Sequence, residues 1–365
     1  MDKVFLALVR IGIGKETAPC STFQVPIDWQ EVNGLAEKQG LSAVVLDGIE
    51  RQKSLSVQGV QEPSKVFLLQ WIGEAIQGYE FCYETYRKSI AELAGFYNNH
   101  GYKMMVLKGY ACSIDWPKPE HRLCGDIDIW LFGKQKEADK ALAKEKGVRI
   151  DTSHHHHTVF NWHGFTVENH YDFINVYHHK SHVKLEKVFK ELGMDDSYSV
   201  DVCGENVYLP SPNLHALFLL KHTMLHFVSG EINLRQILDW GFFVEKHGKE
   251  VDWKWLLEVL DEYGMMPAFN IFNAICVEDL GFEASIFPQV KWDSDLKDRA
   301  LNEILCTESV NNVPKGFFAN VFYRYRRWKA SAWKHELCYK ERMASAFWYG
   351  VWGHIIKPKT IRIRI

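Results

Sequence analysis

The chain has 365 residues, a formal net charge of −3, 47% hydrophobic residues and 14% aromatic residues. This composition excludes a disordered polymer and supplies enough apolar surface for two or three packed units. The small overall charge indicates no particular partner, although the charges are unevenly distributed along the chain.

The first hundred residues predict an N-terminal helical region, residues 1–100. Apolar residues recur at three- and four-residue spacing in 29–39 and again in 65–100. Pro63-Ser64 provides a start signal for the second of these helices, and the Asn-Asn-His-Gly sequence at 98–101 provides a stop signal.

Residues 101–210 have a different pattern, which predicts a small α/β core. His163-Gly164 suits a hairpin turn between two of its strands. A brief helix is expected before Trp116-Pro117, and a charged helix over 134–146. The predicted strands are 103–107, 126–132, 158–162, 165–170 and 207–209.

Residues 211–365 predict a C-terminal helical region that ends in a basic tail. The order of helices, short strands and further helices predicts an α+β fold, in which a small core is flanked by helices on both sides. The predicted helices of this region are 213–229, 234–247, 253–263 and 266–280, with others after Asp293, Asn320 and Glu336.

Two aspartates, Asp126 and Asp128, lie on one of the predicted strands. Residues two apart on a strand share a face, so their carboxylates are expected to project together while Ile127 and Ile129 face a core. Adjacent carboxylates repel each other unless a cation lies between them, and hard divalent ions such as Mg²⁺ suit oxygen ligands. A bare Asp-x-Asp is more often a solvated sheet face, but the adjacent Gly125 and the Lys108-Gly109 turn upstream together favour a metal site.

The next strand offers a third acid for the same site. Thr166, Glu168 and His170 share one face of 165–170, and Glu168 is the best candidate, with Asp172 in reserve. The alternative interpretation, an exposed sheet edge, stays open.

Basic and glycine residues nearby suit a phosphate ligand. Lys108-Gly109 follows an apolar strand and opens a helix, where glycine lets a ligand approach and free backbone N–H groups bind phosphate oxygens. Lys108 is either a triphosphate contact or a surface lysine. Arg122 either neutralises triphosphate charge or holds a carboxylate structurally.

Taken in chain order, the Lys-Gly turn, the Asp-x-Asp strand and the strand with the third acid resemble an uncharacterised bacterial nucleotidyltransferase family of the DNA polymerase β-like superfamily. The resemblance spans about residues 65–246 and is most specific at 106–109, 122–129 and 167–170. It continues into a downstream helical pattern that contains Leu214, His222, His226, Arg235 and Asp239.

The resemblance implies a mixed sheet, two bound Mg²⁺ or Mn²⁺ ions, and transfer of a nucleoside monophosphate from an NTP to a hydroxyl or similar acceptor with release of pyrophosphate. It implies that Asp126 and Asp128 hold both ions, and that Glu168 helps to bind metal and draws the proton from the acceptor. Lys108, Gly109, Arg122 and Gly125 are then nucleotide-binding residues. A catalytically inactive nucleotide-binding or scaffold member of the same fold is the alternative, and the acceptor stays open.

Histidines form two further groups. His222 and His226 lie on one helical face, but residue 223 is Thr, so the H-E-x-x-H signature of a zinc protease is missing. With His170, Arg235 and Asp239 they are predicted to surround the active site, Arg235 and Asp239 as a buried pair; a purely structural role is the alternative. The His154–His157 run is expected at a strand entry, from which it could chelate a transition metal or reach substrate.

The last 51 residues, from Lys315, contain 12 Lys and Arg against 2 Glu and end in the Arg-Ile-Arg-Ile of 362–365. The simplest interpretation is a solvated helix packed on the core with its basic face outward. Single-stranded nucleic acid, an anionic membrane surface and an acidic partner are the alternatives.

The cysteines and the N-terminus bear on cellular location. The eight scattered cysteines include no C-x-x-C pair, which favours reduced thiols in the cytoplasm. The apolar run at 1–14 is broken by Arg10 and is expected to be a helix rather than a signal peptide. No uncharged apolar stretch approaches the roughly 20 residues that span a bilayer.

Overall fold

The computed structural model of the chain describes residues 1–15, 26–54, 62–288, 292–306 and 316–356. The end of the basic tail, 357–365, lies outside the described residues. Within them no helix is long and apolar enough to cross a membrane.

The N-terminal region is helical, as predicted. The start signal is confirmed at Ser64, whose side chain accepts a hydrogen bond from the backbone of Phe67. A π-helical segment, Ile76–Phe81, joins the last two helices into one continuous rod. The helices are Asp2–Gly12 (α1), Trp29–Gln39 (α2), Ser42–Ser54 (α3), Lys65–Ala75 (α4) and Cys82–Asn99 (α5).

A six-stranded mixed sheet forms the core of the middle region, which confirms the predicted α+β class. Its strand order is β3-β4-β2-β1-β6-β5, with β2 parallel to β4 and β1 parallel to β6. The hairpin of β3 and β4 was expected, whereas β5 was not. The strands are Met105–Val106 (β1), Ile127–Trp130 (β2), His157–Trp162 (β3), Phe165–His170 (β4), Ser199–Val202 (β5) and Glu205–Tyr208 (β6).

The register of β2 against β4 places the acids together. Asp128 lies opposite Glu168, and Trp130 lies opposite His170. Ile127 and Ile129 point the other way, into an apolar cluster beneath the sheet. The predicted division of β2 into a carboxylate face and a core face is therefore confirmed.

Helices cover the rest of the molecule. Three of them belong to the middle region: Tyr110–Ser113 (α6), Gln135–Lys146 (α7) and His182–Leu192 (α8). The C-terminal helices are Pro212–Ser229 (α9), Leu234–His247 (α10), Trp253–Glu262 (α11), Met266–Ala274 (α12), Ser294–Leu305 (α13), Phe317–Ala330 (α14), Ala332–Cys338 (α15) and Met343–Ile356 (α16).

The two ends of the chain share one core. Buried side chains of α1 to α3, such as Phe5 and Val45, belong to the same apolar cluster as Phe227 of α9 and Phe242 of α10. A second cluster lies between α5, α7 and the sheet. The boundaries near residues 100 and 210 stay predictions, but the N-terminal helices do not form a separate core.

A buried carboxyl on α8 holds the loop that follows β4. Glu186 accepts hydrogen bonds from the backbone N–H groups of Phe173, at 2.9 Å, and Ile174, at 3.0 Å. Burial raises the pKa of Glu186 to about 8, in spite of these two bonds. Since the folded-state pKa lies above the usual value of 4.5, the folded protein retains this proton over a range of pH in which the unfolded chain has lost it.

We therefore expect the contribution of Glu186 to stability to be fully present below about pH 4.5 and lost as the pH rises through about 8. The loss amounts to at most about 5 kcal/mol. Urea unfolding of wild type and Glu186→Gln across this range measures it, and the difference between the two proteins should shrink as the pH rises. Glu191→Gln, at an exposed position of the same helix, is the control. A difference independent of pH would contradict the assignment.

Candidate active site

Asp128 is the centre of the site. Its side chain is fully buried, and Oδ1 lies 2.9 Å from Lys108 Nζ and 3.1 Å from His170 Nε2. Burial alone would raise the pKa of this carboxyl, but Lys108 and His170 hold it well below its usual range. Asp128 is therefore ionised inside the protein.

The other oxygen of Asp128 is left without a partner. Oδ2 is buried, and no described residue forms a hydrogen bond with it. A buried anionic oxygen without a hydrogen bond is costly, so it marks a position where a cation or a donor belongs.

Glu168 faces Asp128 across the sheet. Burial raises the pKa of Glu168 to about 7, and the charge of Asp128 adds to the effect. Its Oε2 lies 3.8 Å from His170 Nε2. Ligand atoms of Asp128, Glu168 and His170 all lie within 4.8 Å of one another, which is the spacing of a metal centre.

The orientation of His170 fits such a centre. Nδ1 lies 3.2 Å from the carbonyl oxygen of Asp172 and donates to it, so that Nε2 faces Asp128 and Glu168. Without a metal ion Nε2–H donates to Oδ1 of Asp128, and a bound ion would take the place of that proton. Metal-ligating histidines are held in this way by a backbone acceptor on the other nitrogen. Two carboxylates and one imidazole suit Mg²⁺ or Mn²⁺, with the nitrogen favouring Mn²⁺.

Asp126 lies immediately before β2, and its side chain is exposed. Its backbone is fixed because Tyr86 Oη donates to its carbonyl oxygen at 2.9 Å. Asp126 and Lys108 both line the two cavities beside the candidate metal ligands, so the Asp126 carboxylate is available to a ligand in either of them.

The Lys108-Gly109 turn requires its glycine. Gly109 has a φ of 59°, and a Cβ added there would lie 2.1 Å from Tyr86 Oη. Tyr86 of α5 therefore supports both the turn and Asp126, a role that its place in the predicted helix over 65–100 does not indicate. The helix that the turn opens, α6, has only four residues, so any phosphate contact here depends on Lys108 and its neighbours more than on a helix terminus.

Lys108 connects Asp128 to a polar cavity. Burial disfavours its charge, but the carboxylates of Asp128, Asp126 and Glu168 raise the pKa of Lys108 above its usual value. Nζ also lies 3.5 Å from His222 Nε2. This cavity, of about 240 Å³, is lined by Lys108, Gly109, Arg122, Gly125, Asp126, His222, His226, Arg235 and Asp239, among others.

The two arginines have different tasks. Arg122 is buried and forms two hydrogen bonds with Asp239, of 2.7 and 2.8 Å, so of its two proposed roles the structure shows the carboxylate-holding one. The expected pairing of Asp239 with Arg235 is replaced by this bond. Arg235 instead donates from Nη1 to the carbonyl of Leu123 and keeps a buried Nε without a described hydrogen-bond partner.

The His154–His157 run lies at the entry to β3, as predicted, and reaches the site. His157 is paired with His170 in the sheet, and its Nδ1 lies 3.6 Å from Glu168 Oε2. Burial lowers the pKa of His157 to about 3, so its ring is neutral. Nitrogen atoms of His156, His157 and His170 form a second group with the spacing of metal ligands.

Comparison with known proteins adds one finding. The model of a family described as uncharacterised nucleotidyltransferase matches residues 25–280, which is more than two thirds of the chain. This range includes all the residues of the candidate active site. No curated protein and no solved structure matches the chain.

The pair of Arg122 and Asp239 joins the sheet region to α10. Asp239→Asn leaves the buried guanidinium of Arg122 without its counter-ion, so we expect it to destabilise the protein by about 3–5 kcal/mol. Urea unfolding measures this. The double variant Arg122→Met/Asp239→Leu should recover much of the loss. A double variant as unstable as Asp239→Asn would show that the residues act separately.

Proposed function

The chain belongs to the family of uncharacterised nucleotidyltransferases, and from this premise we propose that it transfers a nucleoside monophosphate from an NTP to a small acceptor in a reaction that depends on Mg²⁺ or Mn²⁺. The observation that carries the proposal is the buried, unpartnered Oδ2 of Asp128 beside Glu168. The same arrangement supports placing the family in the DNA polymerase β-like superfamily.

The metal ligands of the proposal are Asp126, Asp128 and Glu168, and the geometry of His170 adds a fourth. Asp126 is exposed and Asp128 is buried, so the first can contact an ion that arrives with the nucleotide while the second anchors the site. Bound divalent ions would neutralise the phosphates and stabilise the leaving oxygen.

The polar cavity supports binding of the triphosphate. Lys108, Arg235, His222 and His226 line it, and burial together with the neighbouring Arg122 charge lowers the pKa of Arg235. A buried cationic group without a nearby anion binds an anionic ligand with a larger gain in free energy than one that is already paired. In the proposed complex Arg235 and Lys108 contact phosphate oxygens, while Arg122 stays with Asp239 and supports the cavity wall.

Glu168 is the proposed general base. Its carboxylate takes the proton of the acceptor hydroxyl while the acceptor oxygen forms a bond to the α-phosphorus of the NTP. The bond between that phosphorus and the oxygen bridging to the β-phosphate breaks, and pyrophosphate leaves. A carboxylate whose pKa is raised to about 7 is basic enough to accept a proton near neutral pH.

Asp126→Asn provides the cleanest test of activity, because the side chain is exposed and its loss should leave the fold intact. We expect wild type to release pyrophosphate from an NTP with Mn²⁺ and a mixture of cell metabolites, and to stop when EDTA is added. Asp126→Asn and Asp128→Asn should be slower by a factor on the order of 1000 or more.

Glu137→Gln, at an exposed position on α7, is the matched control and should retain wild-type turnover. Full turnover in the aspartate variants would overturn the proposal. Metal-dependent binding of NTP without pyrophosphate release under any acceptor condition would instead favour the non-catalytic, nucleotide-binding alternative.

A further inference from the structure

A second cavity, of about 230 Å³, adjoins the metal centre on the side of Glu168. We call it the Lys221 cavity. Its lining includes Asp126, Glu168, Asn175, His182, Lys221 and Tyr339. At roughly 30 Å³ per water molecule the space holds about eight waters, which is the size of a small metabolite.

Lys221 is buried without a carboxylate partner. Of the buried lysines, Lys297 and Lys334 each form an ion pair with an acid, as does the partly buried Lys108, whereas no described residue forms one with Lys221. Its Nζ lies 4.0 Å from the centre of the Tyr339 ring. Burial lowers the pKa of Lys221 to about 7, although the neighbouring Cys338 and Glu341 oppose the shift.

His182 adds a second open position to the cavity wall. Nδ1 donates to the carbonyl oxygen of Asn175 at 2.8 Å, so in the neutral ring Nε2 is an acceptor. Nε2 is buried and has no described hydrogen-bond partner. Lys221 and His182 therefore offer a cation without an ion-pair partner and a free acceptor, which suits a ligand that carries both an anion and a hydroxyl group.

We propose that the Lys221 cavity binds the acceptor, a small hydroxyl compound with a phosphate or carboxylate group that contacts Lys221. The inference rests on the proposed function, because it is the general-base role of Glu168 that assigns this side of the metal centre to the acceptor. The polar cavity, with Arg235 and the Gly109 turn, is left for the triphosphate.

The test uses the full chain with Mg²⁺ and a saturating non-hydrolysable α,β-methylene NTP, which fills the polar cavity. Inorganic phosphate and L-lactate are then titrated separately by calorimetry, so that the two kinds of anion are distinguished. We expect saturable binding of at least one of them, weakened at least tenfold in Lys221→Met. Lys187→Met, at an exposed position on α8, should bind as wild type does.

Lys221→Met should be at least as stable to urea as wild type, because it removes an unpaired buried charge. The inference is overturned if neither anion binds wild type, or if Lys221→Met binds as tightly as wild type. If the NTP analogue itself fails to bind in the presence of Mg²⁺, the proposed function fails first, so the two failures are distinguishable.

An independent observation concerns α16. Its 14 residues include no Lys, Arg, Asp or Glu, and a helix apolar on all sides is normally buried in a protein core or a membrane. Here Trp348 is 69% exposed and Ile355 is 62% exposed. Trp352 and Phe347 are exposed beside them.

The length and the surroundings of α16 point to a membrane surface. At about 1.5 Å per residue the helix is about 21 Å long, which is too short for a bilayer core of about 30 Å. Exposed Phe322 and Tyr325 of α14 extend the apolar surface, and the chain is basic on both sides of α16. Tryptophan and basic residues around an apolar helix are typical of proteins that bind the surface of an anionic bilayer.

We infer that α16, supported by α14, binds the surface of an anionic membrane. The full chain should co-sediment with vesicles of phosphatidylcholine and phosphatidylglycerol at least tenfold more than with phosphatidylcholine alone. Trp348→Glu/Trp352→Glu should abolish this binding. Val66→Glu/Leu69→Glu, at equally exposed apolar positions of α4, should retain it.

Equal co-sedimentation of the tryptophan variant and wild type would overturn this inference. So would the absence of vesicle binding together with a self-association that the tryptophan variant loses, because the apolar face would then belong to a second copy of the chain. RNA binding without vesicle binding would assign the basic residues to nucleic acid.

Discussion

Two carboxylates, Asp128 and Glu168, lie opposite each other on neighbouring parallel strands, and Asp128 is completely withdrawn from water. Like charges in a medium of low polarity repel strongly, so the surrounding groups must compensate. Lys108 and His170 do so from one side, by contacting Oδ1 of Asp128. Oδ2 receives no such contact, and this imbalance makes the centre receptive to a cation.

Residues from the N-terminal, middle and C-terminal regions all support this pair. Tyr86 of α5 fixes the backbone at Asp126 and occupies the space that only a glycine at 109 leaves open. From the other side, Asp239 of α10 holds Arg122 by two hydrogen bonds. Helices α1 to α3 share one apolar core with α9 and α10, so the helices that flank the small sheet in the sequence pack against one another.

The two cavities meet at Lys108, Asp126, His222 and His226, which line both of them. Their chemistry differs, because one contains Arg235 and the glycine turn while the other contains Glu168 and Lys221. The proposed reaction joins two substrates, and this asymmetry would let each substrate be recognised by its own charges. Burial of Lys221 without a carboxylate partner is costly unless a ligand supplies the anion.

Much of the candidate site was determined by the sequence itself. Alternation along β2 is a local property, so the spacing of Asp126 and Asp128, the core-facing Ile127 and Ile129, and the face shared by Glu168 and His170 followed from the chain alone. The hairpin at His163-Gly164 and the helical periodicity of both flanks were local in the same sense. These features depend on neighbours within a few residues.

Contacts between distant residues were decided only by the tertiary structure. The sequence could not show that Asp239 pairs with Arg122 rather than Arg235. Arg235 is only four residues from Asp239, whereas Arg122 is 117 residues away and is brought into contact by packing alone. It could not reveal that Tyr86 supports Gly109, or that Lys221 is buried without an acid, since each depends on elements far apart in the chain. Periodicity shows which way a side chain points, whereas its partner depends on which elements pack against it.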